Sequence, residues 1–136
     1  MMASFDAADR LTSETWKGAG METLYGFKWD YDRVGNRTYQ SQAGVNGGTA
    51  QSPAETYYEY DAANQLSRLH RVGGDAPGWA YFEHDSRGNM VLGHDLALGA
   101  QYFEYDDRNL VKSVRYRDGS AQRFRHDARM RMFRLE

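Results

Sequence analysis

The sequence predicts an all-β fold: tandem antiparallel β-hairpins forming a twisted, open, partly curled sheet. Two observations carry that prediction. First, an aspartate preceded by alternating aromatic residues recurs at Asp6, Asp32, Asp61, Asp85, Asp106 and Asp127, at intervals of 26, 29, 24, 21 and 21 residues. Such a period belongs to architectures whose units cannot bury their faces alone. Second, ten Tyr, and fourteen Gly against two Pro, favour short strands and tight turns over helices.

Each aspartate reads as the start of a turn. Three residues after it stand Asp9, Gly35, Asn64, Gly88, Asn109 and Met130, and all but the last are types that accept a left-handed backbone cheaply. An Asp side chain accepts backbone N–H groups two residues ahead, and a left-handed residue closes a short hairpin with a bulge. Met130 lacks that ease, which predicts a looser last turn. The position before each Asp then lies opposite the fifth after it, giving the pairs Phe5/Leu11, Tyr31/Arg37, Tyr60/Leu66, His84/Met90, Tyr105/Val111 and His126/Met132. Trp29, Tyr58, Phe82, Phe103 and Phe124, two residues earlier, share that face. Asp30, Glu59, Glu83, Glu104 and Arg125 point to the other, wet face. Arg37, polar among apolar peers, is expected to stack on Tyr31.

Residues 1–26 read as one degenerate repeat, "FDAADRL", followed by an irregular N-terminal segment, and residues 27–136 as the hairpin array. Within the array, residues 38–56, "TYQSQAGVNGGTAQSPAET", read as a long mobile loop because they are almost devoid of apolar residues. Residues 71–79 read as a shorter one. At 136 residues the chain has the length of one domain, able to bury about two-thirds of its surface around one core if it packs compactly.

The formal charge is −2, and acidic and basic residues read as spread along the chain, with no basic block to track a phosphate backbone. Nucleic acid is therefore not an expected partner. No run of eighteen apolar residues predicts a membrane span, and the start has no signal-peptide pattern. Absence of Cys removes disulfides and thiolate chemistry but leaves the compartment open.

The repeated pattern in "WDYDRVGNR", "YEYDAANQL", "FEHDSRGNM" and "FEYDDRNLV" resembles the YD repeat of Rhs-type bacterial proteins, over about residues 27–135. The resemblance implies a structural module: a piece of a spiralling β-shell that encloses a partner polypeptide, in that family commonly a toxic one. It also implies secretion or display on a bacterial surface. Five or six repeats are too few to close a shell, so the chain reads as a fragment or a short relative. The D-P-x-G-L signature of self-cleavage is missing, since Pro53 follows Ser and Pro77 follows Ala, and no autoproteolysis is expected. Nor is a cargo domain expected after residue 136. Expected partners are the flanking repeats or an encapsulated polypeptide, and a second copy paired through unpaired sheet edges.

Chemistry within the repeats has three candidate forms. Glu59, Glu83 and Glu104 hold one repeat position and could line up as carboxylates for glycoside hydrolysis, although alternate strands lie about 9.6 Å apart, at the outer limit for an inverting pair. Lys112 opposite Glu104 would instead make a solvated mixed-charge face. The His84-Asp85 and His126-Asp127 dipeptides, like His94-Asp95, carry metal-ligand types, but neighbours on a strand point to opposite faces. Trp16 and Trp79 fall outside the regular positions and are the candidates for stacking on a saccharide. Phosphate-loop, dinucleotide, H-E-x-x-H and G-x-S-x-G motifs are absent. The favoured reading has no cofactor. A carbohydrate-binding surface and a small hydrolase, glycosidase-like or metal-dependent, are its alternatives.

Overall fold

The computed structural model describes every residue except 47–48, 51–52, 75–76, 96–98 and 136. The chain divides into two compact units, Met1–Trp79 and Ala80–Glu136. The first holds β1 (Met2–Phe5), β2 (Leu11–Lys17), β3 (Thr23–Tyr31), β4 (Arg37–Asn46), β5 (Thr49–Ala50), β6 (Ala54–Tyr60) and β7 (Leu66–Val72). Its strands pair in chain order, except that the short β5 folds back on the end of β4 and leaves β6 beside it. Into the second fall most of β8 (Gly78–His84), then β9 (Met90–Asp95), β10 (Gly99–Tyr105), β11 (Val111–Tyr116), β12 (Ala121–His126) and β13 (Met132–Leu135). These too pair in chain order, and every pairing within both units is antiparallel. No helix occurs among the described residues, so none there is long and apolar enough to cross a membrane.

The fold is thus all-β and built of tandem hairpins, and its register follows from the repeat. All six expected pairs form: Phe5↔Leu11, Tyr31↔Arg37, Tyr60↔Leu66, His84↔Met90, Tyr105↔Val111 and His126↔Met132. In the first five hairpins the register slips by one residue just before the turn, a bulge in the returning strand. That slip sets Ser113, not Lys112, opposite Glu104.

Three expectations give way. Residues 38–46 are strand, not loop, and so are 54–56; "TYQSQAGVN" has few apolar residues because ladder hydrogen bonds, not burial, hold this strand. Residues 1–26 are likewise hairpin, with β2 and β3 joined by a tight turn at Gly18–Glu22. The last turn is no looser than the others. Met130 takes φ 61°, and the Asp127 N–H and the Met130 N–H make the same bonds as their counterparts; what the last hairpin lacks is the register slip.

No compact core forms within either unit. Among the described residues only Leu69, Ala80 and Val114 are buried, at 7%, 1% and 8% exposure. Leu69 sits opposite Tyr58 and Val114 opposite Phe103, so two of these three lie across from the aromatic rows. Within each unit each strand contacts only its ladder neighbours, so the sheet there is open and uncurled. The aromatic face consequently stays half-exposed, with Trp29, Tyr31, Tyr58, Tyr60, Phe82, Phe103, Tyr105 and Phe124 covered on one side by neighbours alone.

Candidate functional site

The turns come first because they aim everything else. In all six, one oxygen of the Asp side chain accepts the backbone N–H groups two and four residues on: Ala8 and Arg10 for Asp6, Val34 and Asn36 for Asp32, Ala63 and Gln65 for Asp61. Arg87 and Asn89 serve Asp85, Arg108 and Leu110 serve Asp106, and Arg129 and Arg131 serve Asp127, at 2.8–3.0 Å. The residues three after each Asp are left-handed, including Gly35, Asn64, Gly88 and Asn109. These bonds hold the carboxyls of Asp6, Asp32, Asp85, Asp106 and Asp127 below their ordinary range. For Asp106 the Leu110 N–H is the main cause, for Asp85 the Asn89 amide, for Asp127 the Arg131 N–H and for Asp6 the Arg10 N–H. For Asp32 partial burial pushes upward and is outweighed by the Asn36 amide and backbone bonds.

Within each unit the pairing between successive hairpins stops two or three residues short of this end, and a tyrosine bridges the gap. The Tyr31 hydroxyl donates to the Leu11 carbonyl at 2.9 Å, Tyr60 to Arg37 at 2.9 Å, and Tyr105 to Met90 at 2.8 Å. Each acceptor is the fifth residue after the preceding Asp. The recurring Tyr, where Phe would suffice for packing, was the signal in the sequence for this bridge. Neighbouring turns are also linked directly, by the Arg10 guanidinium on the Asp32 carbonyl and by Asn36 on Asn64 and Asn89 on Asn109. It is Arg10 that lies over the Tyr31 ring, 4.8 Å from its centre, while Arg37 donates to the Gln40 side chain.

Of the candidate catalytic carboxylates, Glu83 and Glu104 of the second unit stand on different ladder rows. Glu59 is in an ion pair with Arg68 at 2.7 Å, and Glu104 accepts the Ser113 hydroxyl at 2.8 Å. In the second unit the ladder row that starts at Glu83 continues through Leu92 to Tyr102, so Glu104 stands two residues off that row. Among the described residues no three His, Asp or Glu converge on a metal position. His84 and His126 face Met90 and Met132 across their hairpins, and Asp85 and Asp127 each hold two backbone N–H groups on one oxygen and, on the other, the Asn89 amide or the Arg131 guanidinium.

The tryptophans differ from one another. Trp79 stacks on His70, ring centres 4.1 Å apart and nearly parallel, with the Arg68 guanidinium 5.5 Å from its centre. Trp16, 47% exposed, pairs across the ladder with the equally open Tyr25 and donates its ring N–H to Glu14. Beside it Phe27 and Trp29 stack at 5.7 Å.

The face expected to be merely wet carries aromatics that the sequence reading passed over. In the first unit Tyr39, Tyr57, His70 and Trp79 run side by side, and Glu55 accepts both tyrosine hydroxyls at 2.9 and 3.0 Å. The bond to Glu55 is what raises the Tyr57 hydroxyl above its usual range. In the second unit Tyr81 lies beside His94, and Tyr102 under the Arg115 guanidinium. The available signal was a tyrosine four residues before the Asp in three repeats, Tyr57, Tyr81 and Tyr102. No protein-family model matches the chain, and comparison with curated proteins finds no match.

Proposed function

We propose that the chain is a structural and interaction module of a YD-repeat protein of the Rhs type, a piece of wall whose aromatic face lies against a partner polypeptide. The observation that carries this reading is a repeated aromatic face, one per hairpin, that among the described residues of each unit has no second layer to cover it. A sheet packs its apolar face against something in a stable assembly, and an uncovered apolar face of this extent marks a contact surface. Turn-to-turn links and tyrosine bridges favour a rigid scaffold over a reactive cleft. The test is saturable binding of an unfolded, reduced polypeptide by the purified chain, read by fluorescence anisotropy. Phe103→Ser together with Phe82→Ser should abolish binding; no binding by the parent chain would remove the reading.

A second reading, a saccharide-binding surface, is favoured by one observation: Trp16 and Tyr25 lie paired and open beside stacked Phe27 and Trp29. A thermal-shift panel of saccharides decides it. A ligand at a hundred times its Kd adds about 2.7 kcal/mol, and a shift lost in Trp16→Ala would establish that surface.

A further inference from the structure

Charge is not evenly mixed in the second unit, contrary to the expectation from the whole chain. Residues 80–107 carry six Asp and Glu against one Arg, and residues 108–134 carry nine Lys and Arg against two Asp. The ladder brings this gradient onto the face opposite the aromatic rows. One row there runs Glu83–Leu92–Tyr102–Arg115, one residue from each of four adjacent strands. It is acidic at one end, basic at the other and apolar in the middle. With strands about 4.8 Å apart, the two charges stand roughly 14 Å from each other. The next row repeats the sense, Glu104–Ser113–Arg123.

A row of that kind is its own complement. Turned by a two-fold rotation about an axis between Leu92 and Tyr102, it sets Glu83 against Arg115 of a second copy and Arg115 against the second copy's Glu83, with Leu92 and Tyr102 meeting at the centre. This is the isologous arrangement of the commonest homodimers. The groups are open to receive it. Glu83 and Arg115 are exposed, Tyr102 is 41% exposed and Tyr81, on the same face, 44%. Arg115 is spread over the Tyr102 ring, 5.1 Å from its centre, and has no carboxylate partner among the described residues. Glu83 has no ion pair there either. We propose that this face of the second unit is a homodimer interface, joined by two symmetry-related Glu83–Arg115 pairs across an apolar centre of Leu92 and Tyr102. A continuous polyanion fits the face less well, since Glu83 and Glu104 would repel it.

This dimer uses a sheet face and not a strand edge, and it stands independently of what the aromatic face covers. The experiment is sedimentation velocity on the whole chain at low and high salt. The parent chain should form dimers that weaken as salt rises. Glu83→Arg alone and Arg115→Glu alone should each weaken dimerisation roughly tenfold or more, because each sets like charges opposite one another. An equimolar mixture of the two variants should recover association as a heterodimer, a result that also requires both to be folded. A parent chain monomeric up to about 100 μM, a range where interfaces of this kind hold together, would overturn the proposal. So would association indifferent to either substitution, as pairing through strand edges would be, or a mixture that fails to recover.

Discussion

The two ends of the strands use the same backbone and different means of fixing it. At one end all six turns begin with Asp; at the other, the tight connections at Gly18–Glu22 and Tyr116–Ser120 make the same two backbone bonds without one. Met21 and Gly119 are left-handed there just as Asn64 and Asn109 are at the Asp end. What the Asp end adds is an acceptor: a carboxylate holding two N–H groups, a tyrosine hydroxyl crossing to the preceding hairpin, and links from turn to turn. The turn itself needs only a left-handed residue. Fixing one hairpin beside the next needs side chains, and the repeat places them at one end.

If that is right, acid should dismantle the Asp end first. Asp6, Asp32, Asp85, Asp106 and Asp127, all in turns of that end, have carboxyls held below their ordinary value. A group lowered in the folded state adds stability in full above its unfolded pKa, near 3.9, and loses it as pH falls through the folded value. Thermal melts should therefore show a steep fall in Tm below about pH 4, and amides of the Asp turns should lose exchange protection before Met21 and Gly119 do. Equal loss at both ends would break the comparison.

A single substitution sharpens it. Asp106→Ala leaves the Arg108 and Leu110 N–H groups without their acceptor and should lower Tm by roughly 5 °C, as loss of a comparable capping side chain does. Asp118→Ala removes bonds only to Ser120, in an exposed turn that Gly119 already favours, and should lower it by about 1 °C.

The asymmetry also explains what the sequence made legible. Asp, its left-handed partner and the flanking aromatics are side-chain signals, so the hairpins and all six −1/+5 pairs could be read directly. Strand β4 could not, because Gln40, Ser41 and Gln42 have no apolar period when both faces of the sheet are wet. Burial was overestimated for the same reason: a single layer offers an aromatic only its neighbours. Of the candidate residues, the turn set holds its expected geometry. Glu83 and Glu104 do not share a row because register, set by a one-residue bulge and by the pairing between hairpins, decides which residues meet. The dipolar row through Glu83 and Arg115 needed those registers too, and no pattern in one strand discloses it.

Removal of a single bridge measures how firmly consecutive hairpins are held. Tyr105→Phe deletes the hydroxyl that reaches the Met90 carbonyl and leaves the ring in place, so it should cost about 1 kcal/mol in denaturant unfolding. Phe5 already lacks a hydroxyl at the same repeat position, and substituting it by Tyr should gain nothing. If Tyr105→Phe is silent, the bridges are incidental and the ladders alone join the hairpins.

Two further substitutions probe the backbone alone. Met130 holds a left-handed conformation that costs an ordinary side chain roughly 1 kcal/mol, and Met21 does the same at the opposite end. Both side chains are largely exposed, at 64% and 69%, so neither substitution sacrifices packing. Met130→Asn and Met21→Asn should therefore each raise stability by about 0.5–1 kcal/mol, and by the same amount, because the backbone demand is common to both ends. If Met130→Asn gains clearly more, the excess measures what Asp127 and its N–H bonds add once the turn is free of strain.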